Sequence, residues 1–145
     1  MENLSKLSEY LKYRLSSKSE YDIHSPFLFD FATKVLYESE NYYSYQLIEN
    51  VREHFLKDKT EIEIVDYGAG SKIFKSNKRK IADICKHNVK AAKYGQLLFR
   101  MTNYFQPGNI LELGTCLGIS TAYLHQGCRK ANMTTIEGDP ATAEF

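Results

Sequence analysis

The stretch Asn109-Ile110-Leu111-Glu112-Leu113-Gly114-Thr115-Cys116-Leu117-Gly118-Ile119-Ser120 places an acid near the end of an apolar strand, then Gly-x-x-x-Gly, then a helix start. Gly114 lets the backbone turn sharply and approach a ligand closely, which a Cβ would obstruct. Amides and hydroxyls near the helix start, such as Ser120, suit a carboxylate. A second strand is expected over residues 133–137, and it ends in Glu137, 25 residues after Glu112. In nucleotide-type folds an acid at the tip of the second strand accepts hydrogen bonds from ribose hydroxyls. These residue types in this order are therefore those of a nucleoside-binding site.

A dinucleotide site is the obvious rival. Its fingerprint is G-x-G-x-x-G, because the second glycine lets the backbone approach a pyrophosphate. Here that position is Cys116. A ligand with a nucleoside and a ribose but no pyrophosphate fits better, and S-adenosylmethionine is the common one. Its zwitterionic methionine end suits a site holding both Glu112 and helix-start donors. The methyl group is already activated by the positive sulfur, so the enzyme has chiefly to align an attacking oxygen, nitrogen or carbon with it.

Residues 96–140 resemble the front of a class I SAM-dependent methyltransferase, closest to the catechol O-methyltransferase-like branch. The resemblance is carried by Leu97-Leu98-Phe99, by Leu111-Glu112-Leu113-Gly114-Thr115-Cys116-Leu117-Gly118-Ile119-Ser120 and by Thr134-Thr135-Ile136-Glu137-Gly138-Asp139-Pro140. It implies that Glu112 and Gly114 frame the methionine end, that Ser120 binds its carboxylate, that Glu137 takes the ribose hydroxyls and that Gly138 lies near the adenine. The loop residues Thr115, Cys116 and Gly118 complete the implied cofactor-binding set. The resemblance implies a methyltransferase acting on a small-molecule oxygen or nitrogen. It assigns no catalytic group and no metal ligand, because in that branch those come later in the chain. A second stretch, Asp66-Tyr67-Gly68-Ala69-Gly70, has the same grammar of acid and glycines. No strand with a terminal acid follows it at the distance a ribose contact requires, so it reads as a turn near the site.

Behind these residues the sequence predicts a mainly helical lead-in. Leu4, Leu7, Leu11 and Leu15 predict an amphipathic helix over residues 3–16 whose stripe belongs to a core. Ser25 and Pro26 predict a capped helix start, with Phe27, Phe31, Val35 and Leu36 on one buried face widened by Leu28 and Phe29. His24 beside that turn has no partner at metal-ligand spacing, so it reads as a turn residue. A third helix is expected over residues 45–57, and a strand over residues 61–67 from the alternation of Glu61-Ile62-Glu63-Ile64. Lys72, Lys75, Lys78, Arg79 and Lys80 form the one local basic patch, read as a solvated loop leading into a helix capped by Ser76. A longer helix follows from Ala91 to Phe105, before Pro107-Gly108.

Nineteen Lys and Arg against eighteen Asp and Glu leave a formal charge of +1 across 145 residues, so no whole-molecule field holds the chain to nucleic acid or an anionic membrane. Nucleic-acid methylation guided by the basic patch is the weakest of the enzyme readings. No apolar run reaches the roughly 20 residues of a membrane span, and the opening lacks the apolar core of a signal peptide, so the expected address is cytoplasmic. Three cysteines, Cys85, Cys116 and Cys128, without a C-x-x-C pair, read as reduced structural thiols. Five of the eight glycines fall in the last 38 residues, in the order strand, glycine loop, helix, strand. The expected fold class is thus α/β: a helical region over 1–107 with one strand near 61–67, then the first β-α-β unit of a Rossmann-like domain over 108–145. Such a fold ordinarily takes the length of a whole domain, so the chain reads as the truncated front of a longer enzyme, inactive alone. The competing expectation is a non-catalytic binding module that forms homo-oligomers through its exposed sheet edge.

Overall fold

The computed structural model describes residues 2–17, 20–65 and 76–145. It divides into two compact units, Met1–Glu38 and Ser39–Phe145. In the first unit α1 spans Glu2–Ser16, a 3-10 turn spans Glu20–Asp22, and α2 spans Pro26–Phe31 before running into a π-helical turn, Ala32–Leu36. Ser25 caps α2 as its sequence position predicts: its hydroxyl accepts the Leu28 amide at 3.4 Å, and Pro26 occupies the first turn. Two expectations fail here. Leu7 and Leu11 are more than half exposed and Leu15 is 88% exposed, so the α1 stripe is not core. A unit of fewer than about 40 residues encloses too little volume to bury such a stripe. In α2 Phe27 and Leu28 are exposed, and in the π-helical turn Leu36 is exposed while Ala32 and Val35 are buried. The π turn, closed by the Tyr37 amide on the Ala32 carbonyl at 2.9 Å, inserts a residue and rotates the face that a 3.6-residue period would keep aligned.

The second unit is mixed α/β with two small sheets. Helix α3 (Tyr43–Lys57) leads into an antiparallel pair, β1 (Glu61–Glu63) and β2 (Lys78–Lys80), followed by α4 (Ile81–His87) and α5 (Ala92–Phe105). Then come β3 (Asn109–Leu113), α6 (Ile119–Gly127), β4 (Asn132–Ile136) and a short α7 (Pro140–Glu144). β3 and β4 are parallel, in a register that runs from Asn109 opposite Asn132 to Leu113 opposite Ile136. The helix α6 makes the crossover that parallel strands require.

Two hydrophobic clusters hold this unit. In one, Tyr45 and Ile48 of α3 meet Phe99 of α5 and Ile119 and Tyr123 of α6. In the other, Ile64 meets Ile81, Ile84 and Cys85 of α4 and Leu117 of the β3–α6 loop. Phe55 and Val89 pack against both clusters. The two compact units meet at 38/39, whereas the sequence alone suggested a division at 107/108. Helices α3 and α5 pack buried residues against α6, so these two helices share a core with the segment that joins β3 to β4.

The basic stretch is also corrected where it is described. Lys78–Lys80 is a strand, with Lys80 set opposite Glu61 and Lys78 opposite Glu63, an arrangement of opposite charges that favours the pairing. Arg79, on the other face, is buried. Ser76 does not cap a helix; its hydroxyl accepts the Lys78 amide at 3.1 Å, and α4 begins without a side-chain cap. Lys72, Lys75 and the Asp66–Gly70 turn lie outside the described residues.

Candidate functional site

The parallel ladder extends one residue past β3, where the Gly114 amide donates to the Ile136 carbonyl at 2.7 Å. The chain then wraps tightly, with φ of +89° at Gly114, +49° at Cys116 and +70° at Gly118. Cys116 thus adopts a glycine-like backbone while keeping a Cβ, a conformation that costs an L residue roughly 1–2 kcal/mol. Its amide explains why the loop holds it: Cys116 N donates to Glu137 Oε2 at 2.8 Å, and Asp139 N donates to Oε1 of the same carboxylate at 3.0 Å. Glu137, just beyond the tip of β4, therefore braces the loop between β3 and α6.

Glu112 sits one strand over. Its Oε2 accepts the Thr121 hydroxyl from α6 and, at 2.9 Å, the Thr135 hydroxyl from β4. Thr135 also bonds Thr115, Oγ1 to Oγ1, at 2.6 Å. Thr121 and Thr135 were not singled out in the sequence, although Thr135 is the direct neighbour of Glu112 in the parallel register. Aligning the two strands residue by residue would have found it.

Three of the cavities around the loop are lined by Cys116. A cavity of about 460 Å³ is lined by Glu112, Gly114, Thr115, Cys116 and Ser120 among others. A second, of about 520 Å³, is lined by Thr115, Cys116, Gly118 and Glu137. The third, about 320 Å³, meets Cys116, Glu137 and Gly138. The eight residues are thus gathered around one loop but do not share one cavity: Glu112 and Ser120 line the first, Glu137 the second and third, and Gly138 the third.

Residues far upstream complete the first cavity. Arg52 of α3 reaches its wall, donating from Nε to Glu49 Oε2 at 2.8 Å and from Nη1 to the Lys90 carbonyl at 2.9 Å. Glu49 Oε1 accepts the hydroxyl of the fully buried Tyr123 at 2.8 Å. Burial and the Glu49 carboxylate push that hydroxyl's pKa well above its ordinary value, so it remains a donor. On the far side, Asp139 caps α7 and accepts the Thr142 amide at 2.7 Å and the Val65 amide at 2.8 Å, tying the β4 tip to the end of the β1 segment. Burial pulls its carboxyl up, but these hydrogen bonds and the Arg79 charge outweigh it and hold the pKa below the usual aspartate value. Burial raises the Cys116 and Cys85 thiols, which keeps both protonated at neutral pH. All three cysteines are free.

Among the described residues no helix is long and apolar enough to cross a membrane. Comparison with known family models, characterised proteins and solved structures gave no match.

Proposed function

We propose that this chain carries the cofactor-binding half-site of a SAM-dependent methyltransferase of Rossmann-like fold that methylates an oxygen or nitrogen of a small molecule. The observation that carries the reading is the pair of carboxylates, Glu112 and Glu137, at the same end of two adjacent parallel strands, on either side of a glycine loop that opens a helix. Ligands of α/β folds bind outside the carboxyl ends of parallel strands, and an acid at the second tip suits ribose hydroxyls. The donor set fits the cofactor. Glu137 would take the ribose, Gly138 would lie beside the base, and Ser120 at the start of α6 would meet the methionine carboxylate. Glu112 and Gly114 would frame the ammonium end, and Thr115, Cys116 and Gly118 would shape the floor. A Cβ built at Gly114 meets nothing within 4 Å, so the backbone there is open to a ligand. Bound SAM supplies a methyl group already activated by its sulfonium; the residues here bind and orient.

Calorimetry with SAM tests this reading. Glu137→Ala removes a charged acceptor worth roughly 1.5–3 kcal/mol, so affinity should fall about 10- to 100-fold. No heat with the wild type, or equal affinity in the variant, would overturn the assignment.

One observation favours the second reading, a self-associating module. Leu111, Leu113 and Ile136 lie on one face of the β3–β4 sheet and are 65%, 75% and 51% exposed. Parallel sheets ordinarily have both faces covered. A monomer in light scattering at high concentration would remove this alternative.

A further inference from the structure

Glu112 is held by one of its two carboxylate oxygens. The Thr121 hydroxyl of α6 and the Thr135 hydroxyl of β4 both donate to Oε2, the latter at 2.9 Å. Among the described residues nothing donates to Oε1, and Oε1 is not one of their buried unpartnered polar atoms, so it keeps accessible surface as an acceptor. A hydroxyl has one hydrogen to give. Thr135 gives its hydrogen to Glu112, so the 2.6 Å contact between the Thr115 and Thr135 hydroxyls runs from Thr115 as donor to Thr135 as acceptor. The hydroxyl chain therefore has one direction, from Thr115 through Thr135 to Glu112. Thr115 has spent its hydrogen as well, and its oxygen has only lone pairs left to offer. Thr115 and Glu112 both line the cavity of about 460 Å³. Two side chains of that lining, joined through Thr135, are thus acceptors with no hydrogen to donate. A carboxylate or phosphate oxygen gains nothing from them, whereas a cationic N–H group gains from both.

We infer that Glu112 Oε1 and Thr115 Oγ1 form the seat of the ligand's ammonium group, and that Thr135 is the positioning residue that prepares both. The inference rests on the SAM reading and adds to it a direction for the hydroxyl chain and a residue of β4 outside the implied cofactor set. Thr135 acts through its single hydrogen. With Thr121 it anchors Oε2 from two separate elements, which leaves Oε1 for the ligand. By accepting from Thr115 it turns that hydroxyl's hydrogen away from the ligand. Acceptors set in advance lose little freedom when the ammonium arrives, so their interaction goes into affinity and into discrimination between ligands that have this group and ligands that lack it. The bonds of Thr135 lie at the surface, where water competes for the same groups, so its removal should have the effect of an ordinary hydrogen bond.

The experiment compares three probes by calorimetry: SAM, its analogue with hydrogen in place of the α-ammonium group, and 5′-methylthioadenosine, which has no amino-acid end. The wild type should bind SAM roughly 10- to 100-fold more tightly than the deaminated analogue, the scale of a hydrogen bond to a charged group. Thr135→Val keeps the β-branched shape and removes the hydroxyl. It should reduce that preference about 3- to 10-fold while leaving the affinities of the deaminated analogue and methylthioadenosine unchanged. Thr135→Ser, which returns the hydroxyl, should restore the preference. Equal binding of SAM and the deaminated analogue by the wild type overturns the inference without any variant, so a poorly folding Thr135→Val leaves it falsifiable. A preference that survives Thr135→Val intact, or a Thr135→Ser protein that behaves like Thr135→Val, also overturns it. So does equal weakening of all three probes in Thr135→Val, because that is the mark of a purely structural residue. If none of the three binds the wild type, the cofactor reading itself falls and the inference falls with it; if they bind without discrimination, only the inference falls.

Discussion

Gly95 tests the packing of the second unit because two physical effects predict opposite signs for its replacement. It lies inside α5, where Ala is preferred over Gly by roughly 0.8–1.0 kcal/mol, so propensity alone makes Gly95→Ala stabilising. A Cβ at this position would run into Cδ2 and Cε2 of Tyr123. That ring cannot retreat. It has no solvent exposure, its hydroxyl is fixed on Glu49 at 2.8 Å, and the Tyr45 ring stands with its centroid 5.8 Å away. Overpacking of this kind costs typically about 1–3 kcal/mol, and a ring that moved would also forfeit a hydrogen bond to a carboxylate worth about 1.5–3 kcal/mol. Against a gain of about 1 kcal/mol, the net expectation is a loss of roughly 0–2 kcal/mol from overpacking alone and roughly 1.5–5 kcal/mol when the hydrogen bond is lost as well. The chain has no tryptophan, so urea unfolding is best followed by far-UV circular dichroism. Combining Gly95→Ala with Tyr123→Leu removes the obstructing ring and should make the alanine neutral or favourable, a coupling visible in a double-mutant cycle. A stabilised single variant, or strictly additive effects, would refute the close approach of α5 and α6 at this point.

Two further outcomes follow from the loop and the caps. Asp139 has a lowered carboxyl pKa, so its contribution to stability is present above the ordinary aspartate value of 3.8 and drains as pH falls through the lower folded value. Asp139→Asn should therefore destabilise at neutral pH and flatten the acid limb of an unfolding titration; an unchanged acid limb would show that the carboxylate is not held by Thr142 and Val65. Gln106 ends α5 in the left-handed region, at φ +46°, where glycine is the favoured residue. Gln106→Gly should raise the urea midpoint by roughly 0.5–1 kcal/mol of stability, the relief of left-handed strain less the greater chain entropy of glycine; a fall would mean that its side-chain amide bond to the Asn103 carbonyl matters more than the strain.

The parts of the candidate site that could be read along the chain are those set by neighbours in sequence. The apolar run from Asn109 to Leu113, the glycines at 114 and 118 and the acid after Ile136 each constrain the backbone within a few residues, and β3, the loop, α6 and β4 follow in that order. The parts that were missed depend on contacts between distant segments. Lys78–Lys80 resembles a solvated loop because its charges hide the pattern, yet it is a strand because Glu61 and Glu63 lie opposite its lysines and Arg79 turns inward. Arg52 and Glu49 carried no motif, since a partly buried ion pair on a helix has the same spacing as an exposed one. The Leu stripe of α1 had the right period for a core face, but periodicity records which side of a helix is apolar and not whether anything covers it.

What the amino-acid order decides about this protein is therefore local: a glycine loop between a strand and a helix, an acid at each of two strand tips, and the exclusion of a glycine from the position where a pyrophosphate would need one. Folding in three dimensions decides the rest. It brings Glu137 onto the Cys116 amide, sets Thr135 beside Glu112, and brings Arg52 of α3 to the lining of a cavity that Ser120 also lines. The reason is that backbone conformation is governed by the nearest few residues, whereas the direction of a buried charge is governed by whichever partners the packed helices bring within hydrogen-bond reach.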